Sequence, residues 1–328
     1  LPKVRTKKGE YTEEIKFRKL ISKMVNLIGG REHIAMLIIT LIMGIYTSMA
    51  GQLYLCATPI GNLGDITGRV VECMKEVDII AAEDTRNSRK LLSHFDIHTP
   101  MTSYHEFNKY EKADELVKIL LEGKNIALIT DAGTPAVSDP GEVLVQRCVE
   151  AGIVVTSLPG PSAVITALTL SGLSTRRFSF EGFLPRDNKE RRIVLEEASK
   201  DTRTVILYEA PHHLKGTLND LMNYFGNRNI SLCRELTKKH EDIMRTTVQD
   251  AIAYYSEAEP RGEFVLVIEG KARKEIAAEA AAAYENLSIE EHVQGYINKG
   301  MDKKEAMKQA ARDRGVSKRD IYNALLQD

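Results

Sequence analysis

The chain predicts an α/β protein built from two α/β domains with a small helical C-terminal extension. Three observations carry this. Short apolar runs alternate with amphipathic segments from residue 52 to residue 269, the tripeptide Pro159-Gly160-Pro161 interrupts the alternation near its middle, and the composition turns alanine-rich after Lys271. Strands alternating with helices argue for a mostly parallel sheet, with ligands bound beyond the carboxyl ends of its strands. A length of 328 residues suits about two domains. An apolar content of 43% with 28% charged residues is too hydrophobic for a disordered chain. The expected divisions are an N-terminal extension over 1–50, α/β domains over 51–160 and 161–273, and helices over 274–328.

Charge and thiols narrow the class. The formal net charge of −1 hides an asymmetry: the first 50 residues carry nine basic and four acidic groups, and the remainder sums to −6. A protein that coats nucleic acid through overall charge is thereby excluded. The four cysteines, Cys56, Cys73, Cys148 and Cys233, are scattered, without CxxC or Cys/His spacing. They read as reduced core thiols, and no metal centre is expected.

The basic leader runs into residues 33–63, which contain no Asp, Glu, Lys or Arg. A basic stretch before a short apolar one has the pattern of a signal peptide and approaches a membrane span. The apolar run is short for a span, Ser48-Met49-Ala50 is a poor cleavage site, and Met49 stands just before the first convincing strand. The expectation is an appended leader with Met49 as the natural start, and a cytoplasmic protein with no stable membrane partner.

From residue 51 the elements follow in order. Residues 52–57 form a strand that opens into a glycine-rich loop ending at Asp65, and a helix follows with Val70, Val71, Met74 and Val77 on its apolar face. Residues 78–82 are a strand ending in Glu83-Asp84-Thr85-Arg86. Helices around 91–95 and over 109–122 lead to a strand at 125–130, a helix at 142–151 and a strand at 154–157. After the hinge come a helix at 162–170, a strand at 178–183, a basic helix at 189–199, a strand at 204–208 and a helix at 214–225. Strands follow at 230–236, 244–247 and 264–269, then a helix at 277–284 and two short helices within 302–328 joined at Arg314-Gly315-Val316-Ser317.

The chemistry concentrates at strand ends. The loop 57–65 matches neither G-x-G-x-x-G nor the P-loop, so a dinucleotide fingerprint and a phosphate-gripping lysine are absent; alone it reads as a tight turn. The loop 131–141, Asp-Ala-Gly-Thr-Pro-Ala-Val-Ser-Asp-Pro-Gly, is longer than a turn needs. Its prolines stiffen it, its glycines bare the backbone and its two aspartates add acceptors, which suits a small cationic ligand with polar edges. Glu83, Asp84, Arg86 and His105 gather acid, base and imidazole groups that can serve acid/base or positioning roles, although Asp84 or Thr85 can equally cap the next helix. Arg186, Lys189, Arg191 and Arg192 fall within seven residues: a solvated helix face, or a patch for phosphates.

Seven segments in order carry a resemblance: Thr58-Pro59-Ile60-Gly61-Asn62-Leu63, Glu83-Asp84-Thr85-Arg86, Asp131 through Gly141, Pro159-Gly160-Pro161-Ser162, Gly182-Phe183-Leu184-Pro185-Arg186, Tyr208-Glu209-Ala210-Pro211-His212 and Gly262-Glu263-Phe264-Val265. Together they closely resemble the ribosomal RNA small subunit methyltransferase I family, a branch of the tetrapyrrole-methylase-like class III methyltransferases. The match covers residues 51–328. It implies two α/β domains of the tetrapyrrole methylase type, S-adenosyl-L-methionine bound in the cleft between them, a homodimer, and 2′-O-methylation of cytidine 1402 in 16S rRNA, free or within the 30S subunit.

Carried over by motif, Pro59, Asp131, Ala132, Gly133, Val137, Asp139, Ser162, Ala163, Tyr208, Ala210, Pro211 and Gly262 would line the donor site. Glu83, Asp84 and His105 are candidates to assist a ribose hydroxyl, with Arg86 on a flanking phosphate. RNA contacts are expected at Arg186, Lys189, Arg191 and Arg192, and in the C-terminal helices at Lys303, Lys304, Lys308, Arg312, Arg314, Lys318 and Arg319. Two rivals share features of this reading: a tetrapyrrole-precursor C-methyltransferase, which has little use for the basic groups, and a non-catalytic RNA-binding protein, which needs no donor cleft.

Overall fold

The computed structural model describes residues 50–282, 284 and 287–326. The leader expected over 1–50 lies outside them except for Ala50. Two compact units meet in sequence between Ser162 and Ala163.

The first unit is a five-stranded parallel sheet of β1 (Leu53–Cys56), β2 (Ile79–Ala82), β3 (Met101–Ser103), β4 (Ile126–Ile129) and β5 (Val155–Leu158), in the order β3-β2-β4-β1-β5. Four helices follow strands: α1 (Gly68–Glu76), α2 (Thr85–His94), α3 (Lys109–Leu121) and α4 (Gly141–Glu150). Strand side chains alternate between faces. Leu53, Leu55, Ile126 and Leu128 therefore join Leu116, Leu120 and Leu144 of α3 and α4 in one core. Cys56, Ala127 and Ile129 join Val70, Met74 and Leu92 of α1 and α2 in another. A parallel sheet needs both faces covered, and these two cores cover them. Thr67 caps α1 by accepting from the Val70 amide, and Asp84 caps α2 by accepting from that of Arg86.

In the second unit the order is β6-β7-β10-β8-β9, from β6 (Phe178–Phe183), β7 (Thr204–Glu209), β8 (Asn229–Arg234), β9 (Asp242–Thr247) and β10 (Phe264–Ile268). Only β6 and β7 run parallel; the other three pairings are antiparallel. The expectation of a mostly parallel sheet thus holds for the first unit and fails for the second. The seven residues joining β8 to β9 are too few for a crossover helix, so these strands pair as neighbours in opposite directions. Helices α5 (Ala163–Leu170), α6 (Asn188–Ser199), α7 (Pro211–Phe225) and α8 (Val248–Glu257) flank this sheet. Leu214, Leu218 and Leu221 of α7 pack with Val205, Leu207, Leu232 and Leu266.

Beyond the sheet lie α9 (Arg273–Ala282), α10 (Ile289–Asn298), α11 (Lys303–Asp313) and α12 (Lys318–Ala324). The last three share a core of Val293, Ala306, Met307, Ala310, Ala311 and Ile321. Buried His292 stacks on Tyr284 with ring centroids 3.9 Å apart and accepts from Arg314 Nε at 3.1 Å. Sequence periodicity passed over β3, α8 and α10. Among the described residues, no helix is long and apolar enough to cross a membrane.

Candidate functional site

In the first unit the pairing register places the strand ends side by side. Ala82 stands opposite Ser103 on one side and Ile129 on the other, so Glu83, Tyr104 and Thr130 follow in the next row. Hydrogen bonds tie that row together: Thr130 Oγ1 donates to Glu83 Oε2 at 2.6 Å, and the Tyr104 amide donates to the Ala82 carbonyl at 2.8 Å. One residue further, the Asp84 amide donates to Asp131 Oδ1 at 3.3 Å. Thr58 and Gly133 exchange two backbone bonds of 2.9 and 3.1 Å, joining the loop after β1 to the loop after β4. Glu83, Asp84, Asp131, Thr58 and, after β3, His105 are therefore brought to one sheet edge.

The loop 131–141 is held in a fixed, locally strained shape. Ala136 and Ser138 adopt φ of 66° and 64°, in the left-handed region that costs a non-glycine residue about 1–2 kcal/mol. Asp139 holds this shape: its Oδ1 accepts from the amides of Ala136 (2.9 Å) and Gly141 (2.7 Å). Burial pushes the Asp139 carboxyl up, and these backbone donors oppose the rise. Gly133, at φ 86°, leaves no room for strain-free replacement, because an added Cβ would stand 3.3 Å from Ile60 Cγ2. Tyr104 is buried and donates its hydroxyl to the Pro140 carbonyl at 2.8 Å, and Thr134 donates to the Pro161 carbonyl at 3.0 Å. Asp139 therefore serves its own loop, while Asp131 and Val137 are exposed.

The charged groups at this edge differ in what they can do. Asp84 is held down to about 2 by the Arg86 side chain, whose Nη2 lies 2.9 Å from Oδ2, and by the Arg86 amide. A carboxylate so far from neutrality is a weak proton acceptor. It is the cap of α2, and Arg86 is its partner. Asp131 moves upward through burial and the neighbouring Glu83, against the donors Asp84 and Asn87. His105 is half-buried, and its Nδ1 is buried without a hydrogen-bond partner among the described residues.

In the second unit, Tyr208 packs edge-on to Phe180 at 4.8 Å and against Phe183 at 5.4 Å. Ala210 precedes α7 and Pro211 opens it. Gly262 has φ 80°, and a Cβ there would lie 2.5 Å from Glu235 Cγ. Glu235 in turn accepts from the Glu263 amide at 2.9 Å and pairs with Lys238. Between Tyr208 and Ala210 lies Glu209, 5% exposed, which accepts from the Ala210 amide at 2.7 Å and from Thr217 Oγ1. Arg191 donates to Thr217 Oγ1 at 2.8 Å and to Asp220 at 2.8 Å. Of the four cations expected to meet RNA, Arg186, Lys189 and Arg192 are exposed, whereas Arg191 is turned to the protein. Arg314 likewise faces His292 and the carbonyls of Leu287 and Ser288, while Lys303, Lys304, Lys308, Arg312, Lys318 and Arg319 are exposed.

Sequence reasoning gave no role to Asn87 or Thr217, and read Glu209 only as part of the segment Tyr208–Pro211. Asn87 lies three residues past the Asp84 cap, in the first turn of α2, and opposes the rise of the Asp131 carboxyl.

Residues 52–252 match the family of Tetrapyrrole (Corrin/Porphyrin) Methylases. The chain is 51% identical over 278 residues to "Ribosomal RNA small subunit methyltransferase I" of Halalkalibacterium halodurans, covering 85% of this chain and 96% of that one. It is 47% identical to the proteins of the same name from Synechocystis (84% and 98% covered) and Bacillus subtilis (84% and 94%). The chain belongs to the ribosomal RNA small subunit methyltransferase I family. Solved structures extend the likeness in fold. A diphthine synthase matches with a TM-score of 0.54 and 13% identity over 67% of this chain and 90% of that one. The methyltransferase CobJ matches with a TM-score of 0.52 and 17% identity over 68% and 95%. In this methyltransferase family member, the loop 131–141 and the Glu83 row stand at the carboxyl edge of a parallel sheet, where such folds bind ligands.

Proposed function

We propose that the protein transfers a methyl group from S-adenosyl-L-methionine to the 2′-hydroxyl of cytidine 1402 in 16S rRNA, acting in the cytoplasm as a homodimer on the RNA or the 30S subunit. The observation that carries this reading is about half-identity, over nearly the full length of the relatives, to proteins named for small-subunit rRNA methylation. The chemistry of the donor set fits the cofactor: exposed Asp131 suits a cationic ligand, and Pro59 and exposed Val137 offer apolar surface beside it. Donor contacts in the first unit would come from Pro59, Asp131, Ala132, Gly133, Val137 and Ser162, with Asp139 fixing the loop. Ala163, Tyr208, Ala210, Pro211 and Gly262 are the candidates in the second.

When bound, the donor supplies a methyl group on a positively charged sulfur. The residues around it must align the ribose hydroxyl with that methyl, and alignment alone lowers such barriers by several kcal/mol. A protonated hydroxyl is a poor nucleophile, so an acceptor at its proton helps. Glu83, with one oxygen held by Thr130, and His105, with Nδ1 unpaired among the described residues, are the candidates to accept it. Asp84 fixes the start of α2 as its cap, and Arg86, paired with it and largely exposed, is the candidate to hold a flanking phosphate. RNA phosphates would meet Arg186, Lys189 and Arg192 of the α6 region and Lys318 and Arg319 of α12, all exposed.

The test incubates the protein with labelled S-adenosyl-L-methionine and either 30S subunits, 16S rRNA or a porphyrinoid precursor. Label on the ribose of one cytidine is expected; label in the porphyrinoid alone refutes the reading. Glu83→Gln and His105→Ala should each slow transfer by about 10²-fold or more if that group takes the proton. If Ala substitutions at Glu83, Asp84, Arg86 and His105 all leave transfer unchanged, the catalytic assignment fails.

A further inference from the structure

The four cysteines of the chain differ in their surroundings. Cys148 and Cys233 are buried, and burial pushes both thiols up, that of Cys148 to about 12. Buried, protonated thiols of this kind are inert. Cys56, at the end of β1, and Cys73, in α1, instead meet: the Cys56 thiol donates to Cys73 Sγ at 3.8 Å. Cys56 has no exposed surface, whereas Cys73 is the one partly exposed thiol of the four. A cavity of about 220 Å³ opens at Cys73, lined by Tyr54 of β1 and by Arg69, Glu72 and Glu76 of α1. A water molecule takes about 30 Å³ of liquid volume, so a small oxidant fits there with solvent.

The surroundings also make the two sulfurs chemically unlike. Cys73 is drawn down by the Cys56 S–H and by Arg69, four residues back on the same helix face, against burial and Glu76. The thiolate is the nucleophilic form, so Cys73 is the sulfur that meets an oxidant first. Cys56 is pushed up by its hydrogen bond to Cys73, then by burial and by the charge on Cys73. Once Cys73 is a neutral sulfenic acid, that charge is gone and only burial still restrains Cys56.

We propose that Cys56 and Cys73 form a dithiol that a hydroperoxide converts reversibly to a disulfide. The Cys73 thiolate attacks one peroxide oxygen and the O–O bond breaks. The departing oxygen takes a proton from solvent, and Cys73 becomes a sulfenic acid. The Cys56 sulfur then attacks the Cys73 sulfur. An S–S bond forms, the S–O bond breaks, and the hydroxide leaves with the Cys56 proton as water. The two thiols are oxidised together and the peroxide is reduced. Glutathione restores the pair by thiol–disulfide exchange, two molecules of it ending as their own disulfide. The sulfurs close from 3.8 Å to about 2.0 Å, a distance that side-chain rotation covers. The bond joins α1 to the end of β1 across the loop 57–65.

The experiment treats the reduced full chain with hydrogen peroxide at neutral pH, without donor or RNA, and maps alkylated peptides by mass spectrometry before and after reduction. A cross-linked Cys56–Cys73 peptide is expected and disappears with glutathione, while Cys148 and Cys233 oxidise at least about tenfold more slowly. Cys56→Ala, its folding checked by circular dichroism, should hold Cys73 as a sulfenic acid that dimedone traps. Cys73→Ser should form no disulfide within the chain. Should Cys56→Ala fail to fold, trapping over time in the unaltered protein gives the same readout, because sulfenic acid at Cys73 must precede the cross-link. Sulfinic acid at Cys73 with no cross-linked peptide, no reaction at Cys73, a disulfide between two chains, or equal rates at all four cysteines overturns the proposal. Methyl transfer enters none of these readouts, so the result is independent of the function proposed above.

Discussion

Thr217→Val is a sharp probe of the buried network in the second unit. Thr217 has no exposed surface, donates to a Glu209 oxygen and accepts from Arg191 Nη2. Valine has nearly the same shape, so the substitution opens no cavity and the cost is purely polar. It leaves one oxygen of a carboxylate that is 5% exposed without a donor, while the Ala210 amide still serves the other. An unsatisfied buried acceptor costs about 1–3 kcal/mol, more when charged, so about 2–3 kcal/mol is expected. For a unit of this size that lowers Tm by roughly 4–12 °C. Urea unfolding followed by circular dichroism should show a lower midpoint with an unchanged m value. In a Glu209→Gln background the same change should cost about 1 kcal/mol less, because an amide is cheaper to strand than a carboxylate. A loss below about 0.5 kcal/mol, the range of ordinary surface substitutions, would refute the assigned network.

Three further expectations follow from the charged groups. Burial, then Arg314, pushes His292 below the usual histidine range, against the pull of Asp313. Its stabilising contribution is therefore complete above the unfolded value near 6.5 and is lost as pH falls toward the folded value. Hydrogen-exchange protection of α10 and α11 should drop between about pH 7 and pH 5.5 and stay level in His292→Gln; an unchanged drop in that variant counts against the assignment. Replacing Arg186, Lys189 or Arg192 by Ala should reduce the slope of log affinity for RNA against log salt by about 0.7–0.9 for each phosphate that is no longer neutralised. Arg191→Ala should instead lower stability, since its side chain is held by Asp220 and Thr217.

The parts legible in the sequence are those that local pattern determines. Leu53 and Leu55 alternate with Tyr54 and Cys56 as a strand between two cores must, and the long loop after β4 announces itself by its prolines and glycines. Strand direction does not show in side-chain periodicity, so the antiparallel run β7-β10-β8-β9 was hidden. Three-residue β3 is too short to show a period, whereas α10 carried both a Ser288–Glu291 capping box and apolar spacing at Ile289, Val293, Tyr296 and Ile297. At the site, residue types were readable but partners were not. Arg191 and Arg192 are neighbours in sequence, yet one meets Asp220 of α7 at 2.8 Å and the other lies on the outer face. Which way each turns depends on a helix some thirty residues away.

The strand order of the first unit also bears on how the chain folds as it is made. Among the described residues β1 pairs with β4 and β5, and Gln52 meets Asn125 across 73 residues. Until β4 has been synthesised, the first strand lacks both neighbours, and Leu53 and Leu55 have no finished core to enter. At about 5–20 residues per second that wait lasts roughly 4–15 s, far longer than hydrophobic collapse. The nascent chain therefore presents an apolar, unpaired edge throughout the translation of three helices and two strands, and this unit should depend on a holding factor at the ribosome more than its final stability suggests.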